Sequence, residues 1–67
     1  TKNYLLVEGV AIDIMDTKKI VEKKLGKPSF VGTTIEGYQF YRYDDKKVEI
    51  YFDEGRVIGW SWIDFKP

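Results

Sequence analysis

Thr17-Lys18-Lys19-Ile20-Val21-Glu22-Lys23-Lys24-Leu25-Gly26-Lys27-Pro28 decides the fold, because one short run carries a helix start, an apolar face and a helix stop. Asp16 or Thr17 can accept the unpaired N–H groups of a first helical turn. Val21 and Leu25 then share one face, with Ile20 beside them. Gly26 suits the left-handed position just past a helix end, and Pro28 forbids continuation soon after. Lys23, Lys24 and Lys27 sit near the negative end of the helix dipole, and as a group they read as a solvated flank. The run predicts a helix over residues 17–25.

Downstream the apolar period changes from helical to alternating. Residues 38–43 are aromatic-rich, residues 47–52 alternate Val48, Ile50 and Phe52 with Glu49 and Tyr51, and residues 56–63 are again rich in β formers. Asp44-Asp45-Lys46 and Asp53-Glu54-Gly55 separate them as turns, so the second half reads as an antiparallel meander. Residues 29–37 place two glycines and two threonines around Phe30, Val31 and Ile35, which suits a loop with one short extended piece. Residues 2–14 read as strand, bend and irregular lead-in, with Val10, Ile12 and Ile14 turned to one side. The expected class is α+β: one helix packed on a three- or four-stranded antiparallel sheet, as a single domain over residues 1–67.

The turn at Asp53-Glu54-Gly55 also decides where two tryptophans go. If Gly55 takes the left-handed bulge position after a type I turn, Phe52 opposes Arg56, Ile50 opposes Ile58, and Trp60 and Trp62 join the core. A two-residue Glu54-Gly55 turn instead pairs Phe52 with Val57 and sends Ile58, Trp60 and Trp62 outward beside Tyr51. Glu-Gly is weaker than Asn-Gly or Asp-Gly in a two-residue turn, which favours the first register. The second has functional content, since an exposed aromatic patch on so small a domain marks a partner or self-association surface. Tyr51, Trp60 and Trp62 are therefore the candidate binding residues.

Composition narrows the chemistry. With 67 residues, no Cys and no His, the chain lacks disulfides, thiolate and imidazole ligands and the usual general base. Stability must come from packing, to which eleven aromatics contribute, or from self-association. Eleven basic against eleven acidic side chains give zero formal charge, so the electrostatic footprint of a nucleic-acid or anionic-membrane binder is missing. Tyr41, Arg42, Tyr43 and Tyr51 interleave aromatics with cations as a base-stacking sheet would, yet the charge balance favours ordinary strand packing. No apolar stretch approaches the ~20 residues that span a bilayer. The chain starts at Thr1 without Met and has no apolar leader core, so a preceding segment is expected.

No catalytic or metal site is expected. Asp44-Asp45 and Asp53-Glu54 fall in turns, where acidic residues serve the backbone, and neither has the ligand spacing of a calcium loop. Ser29 and Ser61 have no imidazole to activate them, and Gly26-Lys27 lacks the rest of a phosphate loop. No cofactor follows from these residues.

The run from Thr17 to Pro28 resembles the helix signature of small bacterial envelope domains of the SmpA/OmlA (BamE) type. In that family a helix ending Val-x-x-x-Leu-Gly-x-Pro precedes an aromatic strand, an alternating strand ending in Phe, a Gly turn and a Val-bearing last strand. Tyr41 or Tyr43, Val48-Glu49-Ile50-Tyr51-Phe52, Gly55 and Val57 look like those positions. Beta-lactamase inhibitory proteins and small Gram-positive secreted domains are similar in layout. The usual Gly-Met before the cap is replaced by Met15-Asp16, and the family's second helix is not evident. The resemblance implies a noncatalytic extracytoplasmic domain of a secreted protein or lipoprotein that binds or props another protein, following an export signal. It transfers no binding residues. A cytoplasmic or phage-type regulatory inhibitor that masks a partner protein fits the same residues. In either case a protein partner or self-association is expected, a homodimer being the simplest form.

Overall fold

In the computed structural model, which describes residues 4–63, the backbone enters the left-handed region at both residues of Glu8-Gly9 (φ 51° and 82°) and of Glu54-Gly55 (φ 52° and 80°). Positive φ at both central positions is the two-residue turn whose twist matches that of the flanking strands. The first turn joins β1 (Tyr4–Val7) to β2 (Val10–Asp13) with Val7 opposite Val10. The lead-in expected over residues 2–14 is thus a hairpin; Lys2 and Asn3 lie outside the described residues. One face of this ribbon carries Leu5, Val7 and Ile12 into the core, with Val10 and Ile14 packed against it.

The helix α1 (Lys18–Leu25) begins where the capping residues place it: Thr17 is extended, and its Oγ1 accepts from the Ile20 N–H at 3.3 Å. It ends at Gly26, whose φ of 86° and N–H donation to the Glu22 carbonyl close the last turn. Val21 and Leu25 are buried, whereas Ile20 is partly exposed.

A four-stranded antiparallel sheet follows, built in chain order from β3 (Phe30–Thr33), β4 (Gln39–Tyr43), β5 (Val48–Asp53) and β6 (Arg56–Trp62). The described residues therefore form one helix and two antiparallel sheets, an α+β arrangement dominated by sheet. The separate two-stranded sheet is an addition to the expected single sheet, and the short extended piece expected within residues 29–37 is β3, the fourth strand of the larger sheet. Tyr41, Tyr43, Val48, Ile50, Phe52 and Val57 turn one face of the larger sheet into the core shared with the helix and the hairpin.

The helix runs alongside β4 in matched steps. Lys18 donates to Gln39, Tyr41 to Glu22 at 2.5 Å, and Tyr43 to the Gly26 carbonyl at 2.8 Å. Four helical residues rise ~6 Å and two strand residues ~6.8 Å, so each turn of α1 meets the next core-facing residue of β4. The segment between β2 and α1 is tied to the start of β6, with the Met15 N–H donating to Val57 O and the Val57 N–H to Asp16 O, both at 2.8 Å.

The β5–β6 register departs from both sequence readings. Phe52 pairs with Val57, as a two-residue turn requires, but the pairing then shifts, so Tyr51 opposes Gly59 and Ile58 is the extra residue of a bulge. That insertion puts Trp60 opposite Ile50 and Trp62 opposite Val48, back on the core side. The bulge occurs, but one pair beyond the turn rather than inside it. Trp60 is partly buried against the core, while Trp62 stays 58% exposed at its margin.

Candidate interaction surface

Strand alternation sorts the larger sheet into a core face and an outer face. The outer face carries Phe30 and Gly32 from β3, Phe40 and Arg42 from β4, Glu49 and Tyr51 from β5, and Gly59 and Ser61 from β6. Among the described residues no element packs over it.

Three rings form a diagonal row on this face. The centroids of Phe30 and Phe40 lie 6.0 Å apart, as do those of Phe40 and Tyr51, with tilted planes in both pairs. Gly32, opposite Phe40, is the floor of the row: a Cβ there would lie 2.6 Å from the Phe40 ring and 2.7 Å from that of Phe30. Aromatic residues commonly cover a strand glycine in this way, replacing the packing its missing side chain cannot supply.

Beside the aromatics runs a polar row. Arg42 is paired across the strands with Glu49, and Glu49 with Ser61. Arg42 Nε lies 3.2 Å from Asp44 Oδ1 and 3.9 Å from Glu49 Oε2, yet hydrogen-bonds to neither. The Tyr51 hydroxyl donates to Glu49 Oε1 at 2.9 Å, and burial followed by the Glu49 contact raises its pKa. The face is thus amphipathic, with its guanidinium set against two carboxylates.

The expected binding residues do not form one patch. Tyr51 belongs to the outer face, whereas Trp60 and Trp62 stand on the core side, because the Ile58 bulge reverses the alternation that a plain two-residue turn would have continued. The neighbours of Tyr51 are Phe40 and Phe30 instead. Phe30 lies in a segment whose sequence suits a loop with one short extended piece, and Phe40 in a strand whose core face its aromatic-rich sequence does not assign. The usable signal was Gly32 between Thr33 and Val31, a glycine that an aromatic on the next strand covers.

No family model, curated protein or solved structure matches the chain. The geometry must therefore carry the functional reading. Among the described residues no group of three or more acidic side chains is placed to hold a metal ion, and no helix is long and apolar enough to cross a membrane.

Proposed function

We propose that this chain is a noncatalytic protein-interaction or scaffold domain whose working surface is the outer sheet face around Phe30, Phe40 and Tyr51. The carrying observation is the ring row itself: Phe30 is 52% exposed, and apolar exposure of this kind on a small domain's flat face is what a partner buries. The rings offer anchors and Arg42, Glu49 and Ser61 a polar border, the composition of a protein interface. Arg42 stands against Glu49 and Asp44, which supports a protein rather than a nucleic-acid partner. The resemblance to SmpA/OmlA-type domains supports an extracytoplasmic setting in a bacterium, as a secreted or envelope-attached protein.

Site-specific photocrosslinking in the producing cell tests this. A photoreactive phenylalanine at Phe30 or Tyr51 should capture a defined partner, and one at Lys23 on the solvated helix flank should not. Adducts that survive Tyr51→Glu with the probe at Phe30, or that form equally from Lys23, would remove the outer face from consideration. Fractionation of the same cells decides the setting, since a purely cytoplasmic chain would replace the envelope reading with that of a masking inhibitor.

A further inference from the structure

The two edges of the larger sheet are treated differently. At β6, the Met15 to Lys18 segment covers the first residues, Arg56 supplies a charge and Ile58 a bulge, all devices that discourage pairing with another chain. At β3 none of these is present: residues 28–35 contain no charged side chain, the strand has no bulge, and no described strand lies beyond it. Exposed apolar side chains concentrate there, with Phe30 52% and Val31 54% exposed and Ile35 fully out in the following turn.

We infer that the β3 edge pairs with the β3 edge of a second copy, antiparallel about a two-fold axis through Gly32, joining the two sheets into one of eight strands. The register follows from the hydrogen bonding. The Thr34 N–H donates to Tyr38 O at 2.7 Å, and alternation then turns the backbone groups of Gly32 and Phe30 toward β4 and those of Val31 and Thr33 to the free edge. Two outward residues flanking one glycine are self-complementary. Val31 of each copy exchanges N–H and C=O bonds with Thr33 of the other, giving four hydrogen bonds, and Gly32 faces its own counterpart.

The remaining contacts agree with this register. Phe30 falls opposite the other copy's Thr34, and the pairing ends there, because the Ser29 N–H already donates to Arg42 O and Ile35 stands in the turn. The two Phe30–Phe40–Tyr51 rows lie on the same side of the joined sheet. No charge meets a like charge, because the paired segment has none. A two-fold pairing of β3 with β3 uses that edge in both copies, so the contact closes as a dimer.

Area sets the strength. Phe30 and Val31, each about half exposed, and the strand backbones face the second copy, and an edge contact of this kind falls below the ~1,200 Å² at which stable specific interfaces begin. The dimer is therefore weak and concentration-dependent, with a dissociation constant of about 10 μM to 1 mM. This inference concerns an edge rather than the outer face, and stands whether or not that face has a foreign partner.

Sedimentation equilibrium and amide exchange on the intact chain test it. The dimer should form with concentration, and the Val31 and Thr33 amides should slow at least tenfold between dilute and concentrated samples while Gly32 stays constant. Val31→Lys, and Thr33→Pro, which removes only an outward N–H, should each raise the dissociation constant more than tenfold with circular dichroism unchanged. A monomer at millimolar concentration overturns the inference. So does a dimer that survives both substitutions, a dimer lost only in Trp62→Ala, or edge amides equally protected at all concentrations, which would mean the chain's own residues cover the edge.

Discussion

At the scale of single residues, burial and hydrogen bonding separate side chains that the sequence makes look alike. Tyr41 and Tyr43 are both buried on the core side of β4, and both spend their hydroxyls on the helix. Tyr38, just before the same strand, is exposed. Leu25 is the last apolar residue of α1 and only 8% exposed, so Leu25→Ala removes packing that nothing nearby replaces. A loss of ~2 to 5 kcal/mol is expected in chemical denaturation, and a change below a few tenths would place the side chain outside the core. Tyr43→Phe keeps the ring and deletes only the bond to the Gly26 carbonyl, at an exposed residue that water can reach. It should cost less, ~0.5 to 1.5 kcal/mol.

At the scale of elements, the legible parts were those specified by local chemistry. The helix could be read because Thr17, Val21, Leu25, Gly26 and Pro28 all point to the same eight residues of α1 without tertiary help. β5 was legible from its strict alternation, and each of its apolar residues is buried. β3 was legible only as one short extended piece within a loop, because Phe-Val-Gly-Thr has no alternating pattern and is held by Phe40 across the sheet, a contact distant in sequence. The face of the tryptophans depended on a bulge at Ile58 that no local residue announces. Both Glu-Gly turns went against the ranking of turn dipeptides, since tertiary packing on either side of each hairpin outweighs a modest local preference. That imbalance is itself testable: Glu8 and Glu54 hold left-handed backbone that Asn adopts more readily. Glu8→Asn and Glu54→Asn should each raise stability by up to about 1 kcal/mol, with unchanged denaturant slopes; a destabilised variant would mean the carboxylate has a tertiary role.

At the scale of the whole molecule, stability should depend on alkaline pH because two tyrosines link the helix to the sheet. Burial, then the hydrogen bond and negative charge of Glu22, push the Tyr41 phenol up to about 12 from its usual 10.0. Burial first, and then the charge of Glu22, raises Tyr43 as well. A group whose folded-state pKa lies above its unfolded value keeps its proton better in the folded chain. The contribution is fully present below pH 10 and declines as pH rises toward 12, because the unfolded chain gains by releasing protons that the folded chain retains. A fall in stability alone does not assign the cause. Comparison with Tyr41→Phe does. Removing the phenol lowers stability at neutral pH through the lost bond to Glu22, but it also removes one of the three raised tyrosine protons, with those of Tyr43 and Tyr51, that contribute to the decline. The variant's stability should therefore fall less steeply between pH 10 and 12, narrowing its gap to the parent chain. Denaturant midpoints measured from pH 8 to 12, with tyrosinate absorbance followed in parallel, give both readings. Parallel stability curves for parent and variant would show that Tyr41 ionises in the folded chain as it does in the unfolded one, and would remove Glu22 as the cause.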